Sequence, residues 1–311
     1  MRVSDGAANP AQPWTTRRLL AWMNKAFADK QLDAPRLSSE MLLAHVLGCD
    51  RLRLYTDADR PASPLERAAL RDLVARALRH EPIQYLVGEA WFFGLPFHVD
   101  RRVLVPRPCT EAIVEHVLQH ARHRPGFGGA SGEAILLADV CTGSGCIAVA
   151  LANHLPHARI VATDIAADAL DVAKKNAARH GVADRIDFRR GDLLTALEDH
   201  PAARQAGSLS YLCANPPYIP DDEWEDVPIN VRCFEPEQAL RGGADGLRYV
   251  RPIIEGAPRL LRPGGLLLVE IASATADEVR AIASADERLR TVEIAHDLEG
   301  KPRLLVAERA G

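Results

Sequence analysis

Asp139-Val140-Cys141-Thr142-Gly143-Ser144-Gly145-Cys146-Ile147-Ala148 follows one apolar run, 134–139, and leads into another, 145–154. Such a sequence dictates a short buried strand, a glycine turn and a helix. Glycine lets the main chain turn tightly and leaves no Cβ between the backbone and a ligand. The helix start beyond it offers N–H groups with no partner inside the helix. Downstream of this unit the pattern repeats. Strands are expected at 134–139, 159–163, 186–189, 210–214, 266–271, 290–295 and 303–308, with helices clearest at 145–154 and 166–180. Short apolar strands alternating with helices predict an α/β fold, a Rossmann-like and mostly parallel seven-stranded sheet covered on both faces. The last two strands are separated only by the polar stretch 296–302, too short for a crossover helix, so they are expected to pair antiparallel.

Upstream, the pattern changes twice. Residues 1–12 are small and polar, a loose tail. Residues 13–82 carry apolar positions at helical spacing, as in Leu19, Met23 and Phe27 or Leu65, Ala69, Leu70 and Leu73. Ser38 or Ser39 is the expected N-cap of a second helix that stops at Gly48, and Ser63-Pro64 opens a third with Glu66 in its first turn. Residues 83–108 are rich in aromatic and β-branched residues, with turns expected at Gly94-Leu95-Pro96 and Asp100-Arg101. They read as a β-hairpin linker to the domain 109–311. A helix is expected at 110–122 and a glycine-rich loop at 124–132.

The chain has 311 residues and a net charge of −4, which excludes a strong general pull toward nucleic acid. Residues 1–80 carry 13 Lys and Arg against 9 Asp and Glu, and the rest carries 25 against 33, so the helical part is mildly basic. No apolar run approaches the roughly 18 residues that span a bilayer. The six cysteines are scattered without a CxxC, which predicts free, buried thiols in a reducing cytoplasm and no metal site.

The glycine loop predicts an adenosine-containing cofactor. Asp164 ends the next strand, where a carboxylate can accept both ribose hydroxyls. Asp192 follows the third strand, placed to accept from an adenine amino group while Leu193 packs the ring. Gly143-x-Gly145-x-x-Ala148 fits a dinucleotide fingerprint as well as an S-adenosylmethionine loop. Asp139, ahead of the glycines, leans toward the latter.

The fourth strand ends in Asn215-Pro216-Pro217-Tyr218. Proline cannot serve a central strand, so the strand stops here, and Asn215 is held extended by the proline after it. The Asn215 side-chain oxygen and the Pro216 carbonyl are two acceptors at fixed spacing. Tyr218 offers a flat face on which a planar group can stack. Two acceptors that grip both hydrogens of an amide nitrogen can aim it at a methyl–sulfonium bond and stabilise the charge that develops on it.

Several stretches carry a resemblance: PRLSSEMLLAHVLG (35–48), EPIQYLVGEAWFFGLPFHVD (81–100), VLVPRPCTE (103–111), DVCTGSGCIAVALA (139–152), NPPYIP (215–220), FEPEQAL (234–240), GADGL (243–247) and LLRPGGLLLVEI (260–271). In this order they are specific, and over residues 14–310 the chain resembles the protein-glutamine N5-methyltransferases, the HemK family. The resemblance implies a class I S-adenosylmethionine-dependent methyltransferase fold behind a helical substrate-recognition domain. It implies a cytoplasmic enzyme whose partners are class-1 peptide chain release factors, modified at the glutamine of a Gly-Gly-Gln loop. No membrane and no sequence-specific nucleic-acid partner is implied. Carried over, Cys141, Thr142, Gly143, Ser144, Gly145, Asp164, Leu193 and Asn215 contact the cofactor, and Asn215, Pro216, Pro217 and Tyr218 hold the glutamine. Two positions depart from the family pattern: Cys141, often glycine, and Cys109, usually Asp. A cysteine at 141 is shared with the branch that modifies a large-subunit ribosomal protein, which is an alternative substrate. A DNA adenine methyltransferase is a further alternative, since it shares Asn-Pro-Pro-Tyr.

Overall fold

The computed structural model describes residues 13–127 and 135–311. The expected tail and part of the expected glycine-rich loop lie outside the described residues. The chain divides between Gly88 and Glu89 into two compact units.

The N-terminal unit is helical: α1 (Thr16–Asp29), α2 (Pro35–Leu47) and α3 (Pro64–Ala77), with short helical turns at Arg53–Thr56 and Ile83–Val87. Leu19, Met23 and Phe27 form one stripe of α1 and are buried with Leu42, Leu43, Leu70 and Val74 in a core of their own. Ser63 caps α3 as expected, in a full capping box with Glu66, and Gly48 ends α2 in the left-handed conformation. Ser38 and Ser39 do not cap α2. The helix starts earlier, on Pro35, whose fixed φ suits a first turn, and the Ser39 hydroxyl donates to the Pro35 carbonyl at 2.8 Å. Residues 83–87, expected in the hairpin, are helical because Ile83 and Leu86 complete this core.

The second unit opens with the hairpin β1 (Glu89–Phe92) and β2 (Leu95–His98). Its turn is Phe93-Gly94 rather than Gly94-Leu95-Pro96. Both turn residues have positive φ (50° and 74°), as a tight two-residue hairpin requires, and the Phe93 N–H is held by Glu111 at 2.6 Å. After α4 (Glu111–His123) come β3 (Ile135–Val140), α5 (Cys146–His154), β4 (Ala158–Asp164), α6 (Ala167–Arg179), β5 (Ile186–Arg190) and β6 (Leu209–Ala214). They are followed by α7 (Val250–Leu260), β7 (Leu261–Glu270), α8 (Ala276–Ala285), β8 (Leu289–His296) and β9 (Pro302–Arg309). The seven-stranded sheet runs in the order β8-β9-β7-β6-β3-β4-β5. Its strands are parallel except β9, which is antiparallel to both β7 and β8, as the short 296–302 connection predicts.

The central strands are mostly apolar because both faces are covered. Leu137, Tyr211 and Leu268 point into one core, with α4 and α5, and Ala138, Leu212 and Leu267 into the other, with α7 and α8. The sequence pattern gives no sign of a short parallel ribbon beyond the end of β6, where Ile219–Pro220 pairs with Arg241–Gly243. The six cysteines are free, but only Cys146 and Cys213 are buried. Cys49, Cys109 and Cys141 are half-buried and Cys233 is exposed, because these four lie in loops or short turns rather than inside strands or long helices. Among the described residues no helix is long and apolar enough to cross a membrane.

Candidate functional site

The chain runs outward from β3 to β4 and β5, then returns to lay β6 on the other side of β3. Loops leaving the carboxyl ends of β3 and β6 therefore diverge and open a crevice, the switch point where open α/β sheets bind ligands. A cavity sits there. Its floor and walls include Cys141, Thr142, Gly143, Ser144, Asp164, Asp192, Leu193, Asn215 and Pro217 from the sequence-derived set.

Asp139 lies behind the cavity wall, fully buried. Its Oδ2 accepts from the Thr142 hydroxyl at 2.5 Å and from the Ala148 N–H at 3.1 Å, while its Oδ1 has no partner among the described residues. Burial above all, with the Asp164 charge adding to it, pushes the Asp139 carboxyl up to about 7. Two consequences follow for the cofactor. An orphaned buried carboxylate oxygen calls for a cationic donor, which the ammonium of S-adenosylmethionine supplies. The helix start is also less free than the sequence suggests, because Asp139 occupies the Ala148 N–H. A pyrophosphate would meet a carboxylate there, so the donor set fits S-adenosylmethionine and not a dinucleotide.

The loop itself is shaped by backbone conformation. Gly145 has φ +79°, and a Cβ on it would stand 3.0 Å from the Ala173 Cβ on α6, so only glycine lets α6 pack this closely. Cys141 has φ 61°, a left-handed conformation that glycine adopts without strain. Burial and the charges of Asp164, Asp139 and Asp192 raise the Cys141 thiol well above its ordinary value, so it is a neutral wall. Asp164 does more than await a ribose: it accepts from the Gly143 N–H and the Ala166 N–H, both at 2.9 Å, and ties the loops after β3 and β4 together. Asp192 is exposed at the cavity rim and Leu193 is half-buried with φ 47°.

At the end of β6, the Asn215 Nδ2 donates to the Thr110 hydroxyl at 3.1 Å. The Thr110 hydroxyl in turn donates to Oε2 of Glu270 at 2.6 Å. Glu270 ends β7 and is 1% exposed. Its Oε1 accepts from the Tyr218 hydroxyl at 2.9 Å and from the Cys109 thiol at 3.6 Å. Among the described residues neither the Asn215 Oδ1 nor the Pro216 carbonyl accepts a hydrogen bond, and Asn215 lines the cavity. Pro216 is buried and Gly145 lies beneath the loop; neither lines the cavity. Tyr218 is also off the wall. Half-buried, it packs against the core that α7 and α8 share. The 243–247 stretch explains why. A Cβ on Gly246 would stand 2.6 Å from the Tyr218 carbonyl oxygen, so the two backbones touch and hold the turn down.

Sequence reasoning missed the supports. Thr110 and Glu270 stand inside the quoted stretches without a role; a Glu closing the run LLLVE was the available signal. Asn176 on α6 is fully buried. It accepts from the His98 N–H at 2.7 Å and donates to the His98 carbonyl at 3.0 Å and the Ser144 carbonyl at 2.8 Å, joining the hairpin to the glycine loop. Glu235, nearly buried, accepts from Arg107 at 2.6 Å and from the Val105 N–H at 3.0 Å. This pair brings Pro236, Gln238 and Ala239 onto the wall opposite the glycine loop.

Comparison with known proteins agrees with this geometry. Residues 18–88 match the PrmC N-terminal domain, and residues 137–228 match the methyltransferase domain. The chain is 46% identical to the release factor glutamine methyltransferase of Chlorobaculum tepidum over 86% of its own length and 88% of that protein. It is 36% identical to that of Rhodopirellula baltica over 96% and 97%. The chain belongs to the release factor glutamine methyltransferase family. Among solved structures, the hMettl16 catalytic domain in complex with MAT2A 3'UTR hairpin 6 has a TM-score of 0.53 at 15% identity, covering 80% of this chain and 82% of that one, which is a likeness of fold. As in the rest of the family, the catalytic unit is a class I methyltransferase and its methyl donor is S-adenosylmethionine.

Proposed function

We infer that the enzyme methylates the side-chain amide nitrogen, N5, of the glutamine in the Gly-Gly-Gln motif of class-1 peptide chain release factors. The observation that carries this reading is the Asn215 amide on the wall of the cofactor crevice, held by its Nδ2 so that its Oδ1 is left as an acceptor, with the Pro216 carbonyl the next acceptor along the turn. An amide nitrogen is a poor nucleophile because its lone pair is delocalised. The bound cofactor supplies an electrophilic methyl group on a sulfonium. Asn215 and Pro216 accept the two N–H hydrogens of the glutamine, aim the nitrogen, and offset the positive charge that grows on it. Pro217 closes the wall beside them, and Tyr218 anchors the turn through Glu270. Asp139, Asp164 and Asp192 suit a cofactor that carries cationic groups, with Asp164 toward the ribose and Asp192 with Leu193 toward the adenine. The relatives' release-factor substrate supports this protein target over the ribosomal one, and a cytoplasmic location follows from it.

The test is transfer of labelled methyl from S-adenosylmethionine to purified release factor, large-subunit ribosomal protein and DNA in parallel, with mass spectrometry of the modified residue. Label on the Gly-Gly-Gln glutamine is expected. Label only on ribosomal protein or DNA would replace this reading. Asn215→Ala should lower turnover about a hundredfold or more while cofactor affinity stays within about threefold.

A further inference from the structure

Glu270, Thr110 and Asn215 form a relay whose hydrogen bonds run one way. Burial pushes the Glu270 carboxyl above its ordinary value, while the donors Thr110, Tyr218 and Cys109 draw it back toward the ionised form; in that form the carboxylate only accepts. The Thr110 hydroxyl has one hydrogen, and that hydrogen goes to Glu270. Thr110 can then only accept from Asn215, so it must face the Nδ2 and not the Oδ1. An amide held by its nitrogen presents its oxygen elsewhere, and an oxygen is what the substrate N–H groups need. The orientation of Asn215 is thus not a local property of the Asn-Pro-Pro-Tyr turn. It is set two bonds away, at the end of a different strand.

We propose that Glu270 is a positioning residue for methyl transfer, which fixes the polarity of the Asn215 amide through Thr110 and pins the far end of the turn through Tyr218. The inference rests on the amide-grip reading above. The same carboxylate serves both ends of the four-residue turn, Asn215 through Thr110 and Tyr218 directly, and it also accepts from Cys109. That contact gives the Cys109 substitution a physical sense. Burial and the Glu270 charge push the Cys109 thiol up to about 11, so it is a neutral donor. A carboxylate at position 109 would instead set like charges side by side. Replacing Glu270 by glutamine keeps the shape and loses the single polarity, because a glutamine amide both donates and accepts. A Thr110 hydroxyl that accepts from this new amide is free to donate to the Asn215 Oδ1. The Asn215 amide then turns over and presents hydrogens to the substrate nitrogen.

The experiment uses the full chain and compares wild type with Asn215→Ala, Glu270→Gln, Thr110→Val and Thr110→Ser. Steady-state methylation of release factor, calorimetric titration of S-adenosylmethionine and thermal melting are read for each. Glu270→Gln and Thr110→Val are expected to lower kcat about a hundredfold, with cofactor Kd within about threefold of wild type. Thr110→Ser, which keeps the hydroxyl, is expected to retain kcat within about threefold. A kcat for Glu270→Gln equal to wild type would overturn the proposal. So would equal losses in Thr110→Ser and Thr110→Val, or losses that only follow cofactor affinity or melting temperature. If Glu270→Gln does not fold, the two Thr110 variants decide the matter alone. An inactive wild type or a fully active Asn215→Ala sinks the amide-grip reading and the relay with it. An active wild type, a dead Asn215→Ala and an unimpaired Glu270→Gln sink the relay only.

Discussion

Asp139 combines full burial, an Oδ1 without a partner among the described residues and a carboxyl pushed up to about 7. A carboxylate whose pKa is raised picks up its proton as pH falls through that value, and a neutral acid cannot offset an ammonium. The amino group of the cofactor stays charged over the same range, since α-amino groups titrate near 8. Cofactor affinity should therefore weaken by roughly tenfold between about pH 7 and about pH 5.5, following the protonation of one group. Calorimetric titration across that range checks it, and Asp139→Asn should bind weakly with a flat profile. A wild-type affinity independent of pH would remove Asp139 from the cofactor's charge balance. Cys141 and Leu193 add strain on the same wall, since left-handed φ in a residue with a Cβ costs about 1 kcal/mol or more.

The hairpin β1–β2 is a small two-stranded element that would be marginal alone. Among the side chains that hold it is the fully buried Asn176 of α6, which bonds both polar groups of the His98 backbone and the Ser144 carbonyl. Asn176→Ala should lower unfolding free energy by about 3 kcal/mol, because it strands three polar groups that cannot all reach water. It should also loosen the glycine loop, raising cofactor Kd several-fold. Denaturant unfolding and calorimetry together test this; a lost stability with an unchanged Kd would show that the hairpin and the loop are independent. Such links mark the limit of what the sequence shows. The seven strands are legible because burial on both faces makes each one an apolar run, and the Asn-Pro-Pro-Tyr turn because prolines declare themselves. Asn176 reads as an ordinary helix residue until its partner, 78 positions away, is known. Thr110 and Glu270 stand 160 positions apart. A run of sequence carries the period of an element but not the identity of the element it meets. For the same reason the sequence pattern starts α2 too late and assigns residues 83–87 to the wrong neighbour.

Every residue that lines the crevice falls between Arg102 and Tyr249, inside the second unit. That unit holds all seven strands of the main sheet and two cores of its own, while the helical unit has a separate core built on Met23, Phe27, Leu42 and Leu43. The two units therefore divide the work in a way that can be measured. A fragment spanning 89–311 should melt cooperatively and bind S-adenosylmethionine with a Kd within about threefold of the full chain, since no cofactor group is lost. Its kcat/KM on release factor should fall by more than about tenfold if the mildly basic helical unit supplies recognition surface, because binding energy lost away from the reacting atoms appears in kcat/KM. The gap between the two forms should narrow as salt is raised, since charge attraction across water is screened within about 10 Å at 0.1 M. A folded fragment that methylates release factor as well as the full chain would leave the helical unit without a part in recognition, and would place the whole of specificity in the wall formed by Arg107, Glu235 and the residues they hold.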